Sequence, residues 1–370
     1  MRVLLLVSSS SRTGAAEGLI SIARWLREHG HDAKLAVDTR TDGDVLRWMA
    51  EARLPPPPHL HLSRQTDVLD ALADMRALAR LVRKREVDVL HANMSHDHHL
   101  CMTASRLGPR PREVRVVRTA HRRVDLAGAA RLYTYRRTDG VVAPCESYGA
   151  ALVRSGIPKE RVAAIPGAVD SHRFSPGESS LRQELGLAAD APVAGIVARM
   201  KDDRGHAELI DAFAAVHREL PKARLVVFGR GEAETSLRTR AAPLGEAVIF
   251  GGYRRDAELV AAYRTLDVAV WLREGNDGTC RGVLEAMACG VPVVAGDDGA
   301  SAELVEGGGL TVAAGDKAAI ALALVSLLGD PSRRAALGQA GRERARTFTE
   351  ARRAEAHLEL YARIRELRPA

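Results

Sequence analysis

Short runs of aliphatic and β-branched residues recur along the chain, each followed by a longer stretch whose apolar positions repeat at helical spacing. An unbroken apolar run of this length reads as a strand buried on both faces, the form strands take in parallel sheets covered by helices. In the first half the runs predict strands at Val3–Val7, Lys34–Val37, Val87–His91, Val114–Thr119, Gly140–Ala143 and Val162–Ile165. In the second half they predict strands at Pro192–Ala198, Arg224–Phe228, Ala247–Phe250, Val268–Trp271, Val291–Ala295 and Leu310–Val312. Strands alternating with helices specify the α/β class, and equal sets in the two halves specify two doubly wound, Rossmann-like domains. A helical pattern from Thr349 to Arg365 ends the chain.

Length and composition fit that picture. A chain of 370 residues, 46% hydrophobic and 27% charged, is long enough for two sizeable cores. The apolar run Val3–Val7 is too short for an export signal, and no span is long enough to cross a membrane as a helix. Cys101, Cys145, Cys280 and Cys289 lack CxxC or zinc-ribbon spacing, which predicts reduced thiols and a cytoplasmic location. Charge is unevenly divided: residues 1 to 175 carry a net +9 and the remainder a net −2. A basic first half favours an anionic membrane surface or a lipid-diphosphate ligand. Leu78–Arg85, with Arg80, Arg83, Lys84 and Arg85, is one candidate surface; its alternative is the wet side of a core helix. Nucleic acid is disfavoured, because aromatic residues are only 4% and no RNA- or DNA-binding module is recognisable.

The densest chemistry lies between Glu274 and Ala295. Gly275 and Gly278 keep the backbone open, Thr279 is the expected N-cap of a helix to Cys289, and Gly290 with Pro292 stops it. A helix start after a glycine-bearing turn offers unpaired N–H groups to a phosphate. Asp277 precedes that start and Glu285 follows within the helix, roughly 12 Å further along its axis. Paired carboxylates of a retaining glycosidase stand only about 5–5.5 Å apart. The wider spacing suits two ends of one extended ligand, a sugar ring at Asp277 and a ribose at Glu285. Flanked by Leu284, Ala286, Met287 and Ala288, a buried Glu285 needs polar partners, which ribose hydroxyls would supply. For such a pair in isolation, the alternative is a turn residue and a solvated helix face.

The segment Asp277-Gly278-Thr279-Cys280, Arg281-Gly282-Val283, Leu284-Glu285-Ala286 resembles the signature of the family 4 retaining glycosyltransferases, enzymes of the GT-B fold. Their pattern is Glu-Gly-Phe-Gly, three variable residues, then Leu-Glu-Ala. Here Asp277 replaces the first glutamate, and Thr279 and Cys280 replace Phe and Gly; Glu274 also precedes a glycine but stands three residues too far from Glu285. Val197 to His206 resembles the family's Gly-Arg-Leu, three residues, Lys-Gly element, with Arg199 at its arginine and Arg204 at its lysine. Pro166 to Asp170 resembles the Pro-Asn-Gly-Val-Asp linker, with Gly167 and Ala168 in place of Asn and Gly. The implied domains are residues 1–172, 173–350 and a last helix, 351–370, returning to the first.

The resemblance implies a retaining, metal-independent glycosyltransferase. It would move a sugar from a nucleotide diphosphosugar, with no further cofactor, to a glycan or lipid-linked acceptor in envelope polysaccharide assembly, with peripheral contact at the inner membrane face. Arg199 and Arg204 would stabilise charge on the leaving diphosphate, Asp277 would orient the sugar, and His121, after the strand Val114–Thr119, would touch it from the first domain. Glu285 would anchor the ribose, Tyr253 border the base, and Gly278, Thr279, Cys280 and Arg281 line the helix start, while Gly14 matches the family's glycine-bearing first loop. That loop lacks the Gly-Lys-Ser/Thr ending of a P-loop and the GxGxxG fingerprint. The group His91, His96, His98, His99 and Cys101 has poor metal-ligand spacing, and Asp42-Gly43-Asp44 reads as a turn, too early in the chain for the metal motif of the other large glycosyltransferase fold. The alternatives are a sugar-nucleotide epimerase of the same fold and a non-catalytic sugar-nucleotide-binding subunit.

Overall fold

The computed structural model describes residues 1–9, 14–39, 44–62, 68–107, 113–121, 129–274 and 280–368. Every strand read from the sequence is present, and all are parallel to their neighbours. The first sheet holds β1 (Arg2–Val7), β2 (Asp32–Val37), β3 (Val89–Ala92), β4 (Arg115–Thr119), β5 (Gly140–Ala143) and β6 (Val162–Ala164), in the order β2-β1-β3-β4-β5-β6. The second holds β7 (Val193–Val197), β8 (Arg224–Phe228), β9 (Val248–Gly252), β10 (Val268–Trp271), β11 (Val293–Gly296) and β12 (Gly309–Val312), in the order β12-β11-β10-β7-β8-β9.

The alternation along β1 explains its unbroken apolar run. Val3, Leu5 and Val7 join one core, with the helix Gly14–Glu28 and the last helix, Glu350–Glu366. Leu4 and Leu6 join a second core on the other face, with the helices Val68–Arg83 and Ser95–Ala104. Successive side chains point to opposite faces, so a strand covered on both sides must be apolar throughout. Each fully buried leucine contributes about 1.5–3 kcal/mol. In the second unit the helices Lys317–Leu328 and Pro331–Ala345 start at true caps: the carboxylates of Asp316 and Asp330 accept the Ala319 and Arg333 N–H groups at 2.9 Å each.

The chain divides into one unit of Met1–Gly167 with Glu350–Ala370 and another of Ala168–Thr349. This places the change after Gly167, ahead of the expected 172/173 boundary, because the Val169 N–H donates to the Phe348 carbonyl at 2.9 Å and ties the linker into the second unit. Within the first unit, the Tyr361 hydroxyl of the last helix hydrogen-bonds His91 Nδ1 at 2.6 Å, and His91 Nε2 bonds the Thr119 hydroxyl at 2.7 Å.

His91 therefore works as a buried structural polar link, and so does His98. His98 bonds Thr138 at 2.9 Å, and His99 bonds the Ser95 carbonyl at 2.8 Å. Among the described residues no His, Cys, Asp or Glu group has a metal-holding arrangement. All four cysteines are buried and none forms a disulfide. Among those residues, too, no helix is long and apolar enough to cross a membrane.

Burial holds His98 and His357 at about 3 and pushes His91 well below its ordinary value. The folded-state values lie below the unfolded one, near 6.5, so the unfolded chain takes up protons first. Stability held by the neutral rings is complete above that value and drains as pH falls towards about 3. The urea midpoint should fall steadily from about pH 7 to about pH 5; a flat midpoint would mean the rings protonate freely in the native state.

Each sheet has one switch point where successive connections leave in opposite directions: between β1 and β3, and between β10 and β7. Open α/β sheets bind their ligands in the crevice beyond the carboxyl ends of the strands at such a point.

Candidate active site

Arg199 and Arg204 follow β7 and Glu274 follows β10, so the second unit brings them to its switch point. The backbone there is tightly packed. Met200 N–H donates to the Arg230 carbonyl at 3.1 Å, and a Cβ on Gly229 would lie 2.0 Å from the Ala198 oxygen. Gly205 turns the chain with φ +80°. The two arginines differ in setting. Arg204 is mostly buried; its Nη1 donates to the Glu274 carbonyl at 3.0 Å, Asp203 stands 3.8 Å away, and its buried Nε has no hydrogen-bond partner. Burial, then the Arg204 charge, lowers the neighbouring His206 to about 4. Arg199 is exposed and lies 3.4 Å from Glu232, which also pairs with Lys201 at 2.9 Å. Its own backbone N–H, then Lys201, holds Glu232 down at about 2.

The helix Arg281–Ala288 is buried from Val283 onwards, which explains its apolar composition. Glu285 is 6% exposed. The Tyr263 hydroxyl donates to its Oε2 at 2.8 Å and Arg281 Nε meets its Oε1 at 2.8 Å, so the chain itself provides the polar partners that the sequence reading left to a ribose. Tyr263 is pushed well above its ordinary value, by burial first and then by the Glu285 charge, so it stays a neutral donor. Glu274 caps the helix Gly299–Val305, its carboxylate accepting the Ala300 and Ser301 N–H groups at 2.6 and 3.4 Å. Tyr253, after β9, is exposed and carries the Arg230 guanidinium 4.3 Å over its ring. Asp277, Gly278 and Thr279 lie outside the described residues.

The first unit gathers its polar groups at its own switch point. The buried Asp97 accepts from the Ser8 hydroxyl and, at 3.0 Å, from the Met94 N–H, joining the ends of β1 and β3. Burial raises its pKa, against the pull of Ser8, Met94 and Arg118. His121 Nε2 bonds Asn93 Oδ1 at 3.0 Å. Asn93 Nδ2 and Arg118 Nη1 are buried without hydrogen-bond partners. Gly14 is the first residue of the helix Gly14–Glu28, not part of a loop, since the small residues after it already continue the helical pattern.

Two family models together span nearly the whole chain. "Glycosyltransferase Family 4" matches residues 12–173 and "Glycosyl transferases group 1" matches residues 178–344. The chain belongs to glycosyltransferase family 4. Among its relatives is a GDP-mannose-dependent monoacylated alpha-(1-6)-phosphatidylinositol monomannoside mannosyltransferase of Corynebacterium glutamicum, 28% identical over 83% of this chain and 80% of that protein. A D-inositol 3-phosphate glycosyltransferase of Kineococcus radiotolerans is 34% identical, over 58% of this chain and 54% of that one. In fold, the chain matches Anabaena HepE, solved with UDP and glucose, at a TM-score of 0.79 and 22% identity, covering 97% of this chain and 98% of HepE. The two sheets are those of a GT-B glycosyltransferase.

Family membership explains one irregular residue. The helix starts from Cys280, not from Thr279, and Cys280 is left-handed, with φ +45° and ψ 42°. Glycine occupies that place in the family pattern, and glycine adopts this conformation without strain. Cys280→Gly should change the unfolding free energy by less than about 1 kcal/mol, because relief of strain offsets the lost thiol. Cys280→Val, β-branched in a left-handed position, should cost clearly more in urea unfolding. Gly282 must stay small for another reason: its Cβ would meet the Trp271 ring at 2.4 Å. The sequence reading missed Glu232, Arg230 and Tyr263. Spacing to a motif offers no signal for partners that arrive from other strands.

Proposed function

We propose that the chain transfers a sugar, with retention of anomeric configuration and without a metal, from a nucleotide diphosphosugar held by the second unit to a phosphate-bearing lipid or glycan acceptor. The observation that carries this reading is Arg204: a buried guanidinium at the switch point with one N–H left over. Such a donor, fixed before the reaction, stabilises charge growing on a leaving diphosphate without reorganisation. Arg199 adds a second, exposed cation, and the Glu285–Arg281–Tyr263 group offers its remaining lone pairs to a ribose. Asp277 takes the sugar on the strength of its spacing to Glu285, and His121 serves transfer from the acceptor unit. The departing phosphate accepts the acceptor's proton, so the protein supplies no nucleophile. The relatives named for GDP-mannose and inositol phosphate support a nucleotide-sugar donor and a phosphorylated acceptor.

The test is a thermal-shift panel of GDP-mannose, UDP-glucose and other nucleotide sugars, followed by transfer assays. A ligand that binds only the native state raises its apparent stability. Product analysis by NMR then reads the anomeric configuration. Conversion of the donor without acceptor would favour the epimerase, and binding without any transfer the silent subunit; no shift with any donor would sink the proposal.

A further inference from the structure

The other end of the first sheet, away from Asn93 and His121, holds a pocket that the proposed reaction does not use. It measures about 630 Å³ and is bounded by the starts of β1 and β4, the approach to β3 and the ends of the helices Val68–Arg83 and Glu350–Glu366. Its cationic lining is Arg2, Arg83, Arg85, Arg115 and Arg365.

Part of this charge serves the fold. Arg2 pairs with Asp88 at 2.6 Å. Arg115 Nη2 donates to the Arg365 and Leu367 carbonyls at 3.2 and 2.5 Å, closing the last helix, and Arg83 Nε donates to the Leu107 carbonyl at 3.4 Å. Cations at helix carboxyl ends offset the negative end of the dipole. That role does not exhaust the set. Two helix ends are worth roughly half a negative charge each. With Asp88 and Glu113 they leave about two of the five guanidinium charges uncompensated. Outside the lining, Asp139, 3.6 Å from Arg115, and Arg161 act on Arg115 with opposite signs, the carboxylate the more strongly.

Arg115 supplies an independent observation. It lines the pocket and is 6% exposed, and its Nη1 makes no hydrogen bond, only a 3.6 Å ion-pair contact with Asp139 Oδ1. A buried donor without a hydrogen bond is costly, and a ligand oxygen would lower that cost. Arg85 holds φ +55° just past a helix end, where glycine is favoured, so the turn itself gains nothing from an arginine.

We propose that this pocket binds a phosphomonoester. Phosphate carries about −1.5 to −2 charge near pH 7 and presents three acceptor oxygens, matching the uncompensated charge and the guanidinium forks. The pocket lies at the amino ends of the strands, whereas reacting ligands in open α/β sheets lie at the carboxyl ends, so it is a second site and not part of the chemistry. The group comes either from a lipid headgroup or from a free phosphate.

The test uses the full chain and two probes: inorganic phosphate by calorimetry, and sedimentation with phosphatidylcholine vesicles containing or lacking phosphatidic acid. The double variant Arg83→Gln/Arg365→Gln, changed only at exposed side chains, should bind the effective probe about tenfold more weakly, equivalent to about 1.4 kcal/mol. Its nucleotide-sugar thermal shift should stay that of the parent. Arg115→Lys, which keeps charge but loses the fork, should weaken binding too; if it does not fold, the double variant still decides. Weakened binding of inorganic phosphate assigns a soluble ligand, and weakened binding of phosphatidic acid vesicles alone assigns a headgroup. A parent that binds neither probe, or a double variant that binds like the parent, overturns the proposal.

Discussion

Arg204→Ala should lower turnover by about 10²–10³-fold, the loss expected when one preorganised donor to a developing anion is removed. Arg199→Ala should cost much less. Arg199 is exposed and shares Glu232 with Lys201, so water and Lys201 partly replace it, whereas nothing else occupies the buried Arg204 position. Arg204→Lys keeps a charge but not the fork that reaches the Glu274 carbonyl, so it should recover only part of the rate. A second readout separates a local electrostatic effect from loss of fold. The Arg204 charge helps hold His206 at about 4, so in a folded Arg204→Ala protein the His206 pKa should rise, as followed by imidazole NMR shifts. Wild-type turnover in folded Arg204→Ala would remove the residue from the mechanism.

The fold was legible because periodicity is a local property. Each strand needed only its own run of apolar residues, and the parallel arrangement followed from helices that must cover both faces. Offsets arose where a turn precedes regular pairing: Val291 and Pro292 lead into β11, which pairs only from Val293. The second-unit site was legible to the extent that it is carried by short motifs. Arg199, Arg204 and Glu285 could be named from the resemblance of short motifs to the family's, and Arg204, mostly buried, and Glu285, buried, are held by specific partners.

The missed partners show where such reading stops. Tyr263 lies 22 residues before the carboxylate it bonds, on a different helix, and nothing in its own neighbourhood distinguishes it from a core tyrosine. The start of the helix Arg281–Ala288 was misplaced by one residue for a related reason. Thr279 has the chemistry of a cap, but the backbone geometry of the cap falls on Cys280, and a left-handed cysteine is invisible to propensity. Glu274 stands too far from Glu285 to match the family pattern, and its carboxylate accepts the Ala300 and Ser301 N–H groups.

Glu285→Ala should abolish the nucleotide-sugar thermal shift and also destabilise the second unit by about 3–5 kcal/mol, the cost of removing one partner from a buried pair. Both oxygens of this carboxylate are engaged, and its loss strands the Tyr263 hydroxyl and the Arg281 guanidinium against an apolar helix. A stability loss alone would not speak to function, so the informative variant is Glu285→Gln. Its amide oxygen can still accept from Tyr263, and its size is unchanged, but it no longer neutralises Arg281 and presents one acceptor in place of two. Glu285→Gln should therefore stay folded, with a midpoint between those of the parent and the alanine variant, yet bind nucleotide sugar at least about tenfold more weakly. Normal donor affinity in this variant would make Glu285 a structural bridge between two helices, and the ribose contact would have to be sought elsewhere. Combining it with Arg281→Met in a double-mutant cycle measures how much of the stability loss belongs to the pair itself. A coupling energy near zero, with donor binding still lost, would place the ligand, not Arg281, as the partner for which that carboxylate is held.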